Sequence, residues 1–212
     1  MSILIFLLSA LLAAPTLAVE RSGPNPGNLA PSGAANASLF TGAFTYSYPI
    51  AVPPGRNGMQ PDLKLTYNSQ AGNGWLGIGW DFSVGSIQRS TRKGIPTYND
   101  AQDTFVFNLS GQSQELVVVG SGSDSYGMYN EYQAKVEEAF SRFRYYTDKT
   151  WRVWTKDGRL HKFTGLIQHA SSGQYFQWGL SRIEDTNGNV LTVTYVSGSH
   201  LPQKIEYGEH VS

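Results

Sequence analysis

Glycine-rich residues 72–77, GNGWLG, come closest to a known site motif, because their letters match the GxGxxG of dinucleotide-binding proteins. In those proteins the glycines lead directly into a helix whose N-terminal N–H groups bind the pyrophosphate. Residues 78–81, IGWD, argue against a helix at this position, since Gly79 would destabilise its interior. The sequence therefore predicts no nucleotide site, but a tight loop between strands in which Trp75 and Trp80 pack on a neighbouring sheet.

Asp185, Asn187 and Asn189 have the spacing of the first calcium ligands of an EF-hand loop. That loop also requires a glycine and a glutamate at the positions that Val190 and Val196 occupy here. Because both are replaced by apolar residues, we predict a β-turn at this position rather than a calcium site.

Other groups that could catalyse a reaction do not form a recognisable centre. The histidines are scattered, without a close pair or an HExxH motif: His161, His169, His200 and His210. Asp62 and Asp81 flank the glycine-rich loop, so a hydrolytic carboxylate pair is conceivable, but turn or surface positions fit them better. We predict no catalytic, cofactor-binding or metal-binding residue, and a chain that is not an enzyme.

Several aromatic residues in the second half of the chain allow two interpretations. They are Trp151, Trp154, Tyr175 and Trp178. On a flat β face these rings could stack on sugars, which would make the protein a secreted β-rich module that binds glycans or a cell surface. Packing within and between sheets is the interpretation that we favour.

The composition is typical of a β protein rich in turns. Charged residues make up 15% of the 212 residues, against roughly a quarter in an average protein, while the chain has 23 glycines and 13% aromatic residues. With 16 basic and 16 acidic residues, it lacks the positive charge of a nucleic-acid-binding protein. Cysteine is absent, so disulfides and cysteine-ligated metals are excluded.

The first 38 residues predict export followed by a linker. Residues 1–18 are an apolar run that ends in small residues, which is typical of a secretory signal peptide cleaved after Ala18. A retained membrane anchor is the alternative. Residues 19–38 are rich in Pro, Gly, Asn, Ser and Ala and predict a flexible linker. The β domain is expected to span residues 39–212, and the protein to be secreted.

Alternating apolar residues and turn signals then predict a series of hairpins. Within residues 41–89 we expect three strands, separated by a Pro-Gly turn and the glycine-rich loop. Later strand pairs are expected at residues 103–109 with 115–119, 150–156 with 159–164, and 174–183 with 190–196, followed by a strand at 204–207. Residues 121–127 predict a flexible loop. Residues 131–146 have the period of a helix but the surroundings of strands, and we predict strands there.

Residues 46–80 combine an unusual number of turn-forming and aromatic residues at particular positions, which we interpret as a structural motif. Its residues are Pro53, Pro54, Gly55, Gly58, Tyr67, Asn68, Gly72, Gly74, Trp75, Gly77, Gly79 and Trp80. This segment resembles the signature of the SpvB family of virulence-plasmid B proteins and the matching part of the B components of insecticidal toxin complexes (Tc toxins). Residues 180–195 also resemble an Rhs/YD-type repeat unit. The resemblance extends over about residues 40–208.

The resemblance implies a fold and a role. In Tc toxins this region begins a hollow β shell that encloses a toxic C-terminal domain, and in SpvB-like proteins it precedes an ADP-ribosyltransferase domain. Such a transferase carries a Ser-Thr-Ser strand and a Glu-x-Glu loop. This chain has no Ser-Thr-Ser, and its Glu137 and Glu138 are adjacent, so no transferase site carries over. The implied partners are the rest of its own shell or a companion toxin-complex subunit, with a membrane involved only through the signal peptide.

We therefore expect an all-β chain of antiparallel hairpins that forms one strip of a larger β shell. Its role would be that of a non-catalytic scaffold in a secreted toxin or YD-repeat protein, involved in encapsulation, delivery and virulence. The chain also looks cut off after residue 212, and any toxic activity would lie in a further C-terminal domain. An isolated strip leaves sheet edges unpaired, so the chain alone is expected to be poorly soluble or oligomeric.

Overall fold

The computed structural model describes residues 33–37, 42–109, 112–136 and 141–211. In these residues every regular element is an antiparallel strand except for one short 3₁₀ turn, Arg56–Gly58. The prediction of an all-β, antiparallel chain is therefore confirmed. The predicted signal peptide and most of the predicted linker lie outside the described residues. Within the described residues, no helical segment has the length and hydropathy that crossing a membrane requires.

An N-terminal sheet contains four strands in the order β1-β2-β3-β6. These are β1 (Ala34–Ala37), β2 (Phe44–Ile50), β3 (Leu63–Asn68) and β6 (Trp80–Phe82). Between β3 and β6, the glycine-rich loop forms a small hairpin of β4 (Asn73–Gly74) and β5 (Gly77–Ile78). β1 corrects the linker prediction, because residues 34–37 pair in register with β2 instead of forming a flexible segment.

The remaining strands form a second sheet, most of which closes on itself. Its strands are β7 (Ser86–Arg89), β8 (Phe105–Leu109), β9 (Gln112–Asp124), β10 (Gly127–Ala134), β11 (Arg142–Tyr146), β12 (Trp151–Trp154), β13 (Leu160–Gln168), β14 (Tyr175–Glu184), β15 (Asn189–Tyr195) and β16 (Pro202–His210). Each strand from β7 to β13 pairs with the next one, β13 pairs with β14, and β14 returns to β7. We call this closed set of strands, β7 to β14, the ring.

β14 holds the ring closed because its two halves have different neighbours on one edge. Residues 177–179 pair with β7, whereas residues 182–184 pair with β15. The hairpin of β15 and β16 therefore leaves the ring as an extension, with β16 as its outer strand. The strip of hairpins that we expected is therefore closed on itself at the ring strands. Free edges remain where residues 117–124 of β9 pair with β10 alone and residues 164–168 of β13 pair with β14 alone.

Aromatic side chains that alternate along the strands fill the interior of the ring. The buried cluster consists of Ile87, Phe105, Phe107, Leu116, Tyr132, Phe143, Tyr145, Trp151, Val153, Phe163, Trp178 and Leu180. Trp151 lies near its centre, with ring centroids 5.0 Å from Phe105 and 4.9 Å from both Tyr132 and Tyr145. Such tilted and edge-on aromatic pairs stabilise the fold by more than the burial of their apolar surface alone would.

Two sequence predictions differ in outcome along β9 to β11. The flexible loop predicted at residues 121–127 is wrong, because β9 continues to Asp124 and β10 starts at Gly127. The strand prediction for residues 131–146 is confirmed where the chain is described, in the end of β10 and in β11. Residues 137–140, in the middle of that stretch, lie outside the described part.

Candidate functional site

The connection between β2 and β3 crosses to the β15–β16 hairpin and inserts Met59 there. Met59 is only 1% exposed and forms a second buried cluster with Leu191 and Val193. Val84, Ile183, Tyr195, Ile205 and Tyr207 pack around this cluster. The proline- and glycine-rich part of the motif thus joins the N-terminal sheet to the end of the chain.

The backbone around Met59 explains why glycine and asparagine occur in this connection. Gly58 and Asn57 both have positive φ angles, 72° and 51°. At Gly55 an added Cβ would lie 2.0 Å from the Met59 carbonyl oxygen. A larger residue at Gly55 would therefore displace the segment that carries Met59, while Pro53 and Pro54 remain exposed beside it.

Polar contacts hold the same connection at both sides. The Tyr207 hydroxyl donates a hydrogen bond of 3.1 Å to the carbonyl of Pro53. On the other side, the Asn57 amide donates to the Asp185 carboxylate at 3.3 Å. The connection is thereby tied both to β16 and to the turn between β14 and β15.

Asp185 organises that turn in the way predicted for residues 185–189. Its Oδ1 accepts hydrogen bonds of 2.9 Å from the backbone N–H groups of Asn187 and Asn189. Its Oδ2 accepts a 2.8 Å bond from the Asn189 side chain, which is the main reason why the pKa of Asp185 falls to about 2. Gly188 has a φ of 78°. The carboxylate thus serves the turn, and the β-turn prediction is confirmed.

The glycine-rich loop folds back on β3 through its own backbone. Gly79 accepts a 2.8 Å hydrogen bond from the N–H of Asn68 and donates a 3.0 Å bond to the Gly72 carbonyl. Gly79 has a φ of 80°, and a Cβ there would lie 2.5 Å from the Tyr67 ring. Since strand β5 follows at Gly77, the helix that a nucleotide site needs does not occur there.

The two tryptophans of this loop differ in their surroundings. Trp80 packs on its own sheet, with ring centroids 5.3 Å from Tyr67 and 6.5 Å from Tyr46. Trp75 contacts Phe82 edge-on but stays 45% exposed. The prediction that both rings pack on a neighbouring sheet is therefore wrong. Trp80 belongs to β6, which is part of the same sheet as β3, and Trp75 is exposed. The remaining glycine, Gly74, allows close approach, since a Cβ there would lie 2.9 Å from the Trp80 carbonyl oxygen.

The packing that we favoured for these aromatic residues is confirmed for Trp151 and Trp178, and the alternative, a sugar-stacking platform, does not exist as a surface. Trp151 and Trp178 are both 0% exposed and belong to the ring interior. Trp154 is half-buried on the outside of β12, with the Arg144 guanidinium 5.2 Å from its ring. Tyr175 packs on Trp178 with centroids 6.1 Å apart. Sugar stacking on these four rings is therefore wrong, because two of them are inaccessible.

Sequence reasoning missed Arg89, a charged residue that is 0% exposed at one end of the ring interior. Its guanidinium forms ion pairs with Asp100 and Asp103 and donates a 2.8 Å hydrogen bond to the Tyr175 carbonyl. Burial alone would raise the pKa of Asp103, but hydrogen bonds from Thr97 and the contact with Arg89 together lower it. The sequence around Arg89 does not indicate that its side chain points into the ring, because a charged residue at a strand position is normally expected to face solvent.

The remaining candidate residues do not assemble into a centre. Asp62 forms a 2.8 Å ion pair with Lys64, and Asp81 lies opposite Thr66 in the N-terminal sheet. His161 is buried in the ring, and desolvation lowers its pKa to about 4. His169 stacks on Tyr98 at 4.1 Å. No group of three or more potential metal ligands occurs within residues 33–37, 42–109, 112–136 and 141–211.

The sequence of the chain matches the model of one protein family over most of its length. The family model of the Salmonella virulence plasmid 65kDa B protein, SpvB, matches residues 38–206. A mono(ADP-ribosyl)transferase SpvB of Salmonella choleraesuis (strain SC-B67) is 32% identical over 141 residues, which cover 57% of this chain and 23% of that protein. The relative from Salmonella typhimurium is 31% identical with the same coverage. The chain thus spans about a quarter of the length of these curated relatives.

Solved structures are similar over most of the chain. The crystal structure of TcdB2-TccC3 aligns with a TM-score of 0.66 and 27% identity, covering 79% of this chain and 9% of the other. The Photorhabdus luminescens Tc holotoxin pore aligns with a TM-score of 0.65 and 27% identity, covering 78% of this chain and 8% of the other. The N-terminal domain of the effector protein SpvB from Salmonella typhimurium strain LT2 shares the fold, with a TM-score of 0.62 at 23% identity, covering 76% of this chain and 63% of that one.

Proposed function

The chain belongs to the SpvB family, and on that premise we propose that it is a non-catalytic scaffold region of an exported bacterial toxin. The observation that carries the proposal is the alignment of 79% of the chain with TcdB2-TccC3. The architecture supports the role, because the ring interior is filled with packed side chains and the motif residues tie one sheet to the other.

In this role the chain contributes one part of a larger β shell that encapsulates or delivers a toxic domain. The structures of TcdB2-TccC3 and of the Tc holotoxin pore support a companion toxin-complex subunit, or the rest of its own shell, as the partner.

A domain exchange tests the scaffold role. Residues 42–208 replace the matching region of TcdB2, and assembly with TccC3 is followed by size-exclusion chromatography and resistance to protease. We expect the chimera to assemble. The same chimera with Met59→Ala serves as control and is expected to assemble less well, because the connection between the sheets is weakened. A chimera that folds but never assembles would contradict the scaffold role.

The described residues are proposed to have no catalytic activity, although the curated relatives are named mono(ADP-ribosyl)transferases. In a longer protein, transferase activity would be encoded outside residues 33–211. Incubation of the chain with labelled NAD⁺ and cell extract is expected to label no protein, whereas the full-length relative from Salmonella choleraesuis serves as positive control. Label transfer by the chain would overturn this part of the proposal.

Residues 180–195 are proposed to be a unit of the YD-repeat type.

Export is proposed from residues 1–18, with a linker up to the start of β1. Expression of the full chain in a Gram-negative host tests the export proposal. We expect mass spectrometry of the exported protein to find Val19 at the N-terminus. Retention of an uncleaved chain in the cytoplasm would contradict the proposal.

A further inference from the structure

Strand β9 has a free edge that is apolar and exposed. Residues 117–124 pair with β10 on one side, whereas the pairing with β8 on the other side ends at Leu116. This stretch begins with three consecutive valines, Val117, Val118 and Val119, which are 38%, 63% and 52% exposed. No pattern in the sequence indicated a binding surface here.

The backbone along this edge presents hydrogen-bonding groups that have no partner among the described residues. On the other side of β9, the Glu115 carbonyl accepts a 2.8 Å hydrogen bond from the N–H of Lys135. Because successive residues of an antiparallel strand bond to opposite sides, Val118 directs its N–H and C=O groups away from β10. The backbone of Gly120 is also exposed, and nothing lies within 4 Å of an added Cβ there. An extended chain is the ligand that supplies alternating acceptors and donors at this spacing.

The edge of β9 lacks the features that keep sheets from associating. The outer strand β16 begins at Pro202 and carries Lys204 and Glu206. Residues 116–123 of β9 are LVVVGSGS, without a charge or a proline. The pairing of β9 with β10 contains a β-bulge at Val119, and bulges occur beside binding sites as well as at protected edges. The composition is therefore that of an edge that accepts another strand.

The charges at the two ends of this edge are already paired within the chain. The Glu115 carboxylate lies 3.6 Å from the Lys135 ammonium, and the Asp124 carboxylate lies 2.8 Å from the Arg144 guanidinium. The edge thus offers no free charge to select a charged strand, and the exposed valines favour apolar side chains opposite them.

A second copy of the chain fits this edge poorly. Two copies that paired antiparallel along residues 117–123 would place the valines opposite Ser121, Gly122 and Ser123. Such pairs contribute little, because cross-strand stabilisation comes mainly from contacts between aromatic or β-branched side chains. A different strand, with apolar side chains opposite the valines, would bury more apolar surface.

We propose that residues 117–123 of β9 bind an extended segment of a separate partner protein, which adds a strand to the β9–β10 hairpin. The segment is uncharged and free of proline where it pairs, and it carries β-branched side chains opposite the three valines. Main-chain hydrogen bonds hold the segment, and the valines select its side chains. The proposal goes beyond the scaffold role and does not depend on it.

A labelled peptide tests the proposal on the full 212-residue chain. The probe is KGTVTVTGK with a fluorescein label, and fluorescence polarisation measures its binding. We expect a Kd of about 100 µM or tighter. The same peptide with N-methyl groups on every amide of its TVTVT segment cannot donate to the edge and is expected to bind about tenfold more weakly or less. KGTETETGK, which puts charges opposite the valines, is expected to lose as much.

Substitutions on the protein locate the binding to this edge. Val118→Lys places a charge on the edge and is expected to weaken peptide binding about tenfold or more. Val136→Lys is the matched control, since Val136 is 65% exposed and lies outside residues 117–123, and its affinity is expected to be unchanged. Both variants are expected to keep the thermal midpoint of the parent chain within about 2 °C, because both positions are exposed. Hydrogen exchange followed by mass spectrometry is expected to show slower exchange in residues 117–123 when the peptide is bound.

Four results would each overturn the proposal. One is that KGTVTVTGK does not bind to the folded chain, and another is that Val118→Lys binds it as tightly as the parent chain. A third is that the N-methylated peptide binds as well as the unmodified one. The fourth is a mass that rises with concentration in the parent chain but not in Val118→Lys, because this would assign the edge to a second copy.

Discussion

At the scale of single residues, no pattern in the sequence indicated that Met59 is buried. It lies in an irregular connection between two prolines, where no period indicates burial. In the folded chain it is 1% exposed and packs on Leu191 and Val193, which are more than 130 positions away in the sequence. The neighbouring motif residues Gly55 and Gly58 allow the backbone conformation that places the Met59 side chain in this cluster.

Met59→Ala is expected to destabilise the chain by about 2–4 kcal/mol, because it removes a buried side chain and leaves a cavity. Urea denaturation followed by far-UV circular dichroism measures the loss. Met128→Ala is the matched control, since Met128 is 65% exposed and its truncation is expected to cost less than about 0.5 kcal/mol. Equal effects of the two substitutions would contradict the buried position of Met59.

His161 makes the stability of the ring depend on pH. Its pKa in the folded chain is about 4, below the ordinary value of 6.5, because burial disfavours the charged ring. The unfolded chain therefore binds more protons between these two values, so stability is fully present above pH 6.5 and falls as the pH drops toward 4. The loss amounts to as much as about 3 kcal/mol.

His161→Gln is expected to remove most of this pH dependence between pH 6.5 and pH 4. The free energy of unfolding is measured at pH 7.5 and at pH 4.5 for the parent chain and for the variant. The loss of stability between the two pH values is then compared, so that the effect of the substitution at pH 7.5 itself is subtracted. His200→Gln is the matched control, since it makes the same substitution at an exposed position. An identical pH profile for the His161 variant and the parent chain would show that another group titrates.

At the scale of elements, glycines decide where strands can approach one another. Gly79 and Gly72 are hydrogen-bonded to each other in the glycine-rich loop, yet they differ in what a side chain would meet. At Gly79 a Cβ would collide with Tyr67 and with the Asn68 carbonyl oxygen, while at Gly72 nothing lies within 4 Å. The motif letters alone treat the two positions alike.

Gly79→Ala is expected to destabilise the chain by roughly 2 kcal/mol or more, from the left-handed backbone conformation and from the collision with Tyr67. Gly72→Ala is expected to change stability by less than about 0.5 kcal/mol. Thermal unfolding of both variants measures the difference. A Gly79 variant as stable as the Gly72 variant would mean that this loop does not pack on β3 as described.

At the scale of the whole described chain, closure of the ring changes what should happen in solution. The expectation of poor solubility rested on unpaired edges, and closure of the ring leaves only short ones, at residues 117–124 of β9 and 164–168 of β13. The outer strand β16 begins at Pro202, carries Lys204 and Glu206, and bends at Gly208, where φ is 91°. Charges, proline and local irregularity are devices that protect sheet edges from association.

We therefore expect the chain, expressed alone, to be a monomer that unfolds in one cooperative transition. Light scattering after size-exclusion chromatography gives the mass. Trp fluorescence reports Trp75 and Trp80 at the N-terminal sheet together with Trp151, Trp154 and Trp178 in the ring, and far-UV circular dichroism reports the strands. Coincident unfolding curves are expected, because the contacts of Met59 couple the N-terminal sheet to the rest of the described chain. Oligomers or separate transitions would instead support the open strip that we expected from the sequence.

Much of the local structure could be predicted from the sequence, because it depends on neighbours in the chain. Alternation at Phe105, Phe107 and Leu109 predicts β8, and the turn residues at Asp157 and Gly158 predict the hairpin of β12 and β13. The length of β9 was missed because residues 120–123, GSGS, have the composition of a loop. They form a strand through pairing with β10, which supplies what their intrinsic propensity lacks.

The sequence by itself determined the class of fold, the turn at Asp185 and the family, since each follows from residue types at short and regular spacing. The tertiary structure alone decided that β14 closes the ring onto β7, that Met59 joins two sheets and that Arg89 lies inside. These outcomes depend on contacts between residues far apart in the chain, which local patterns do not encode.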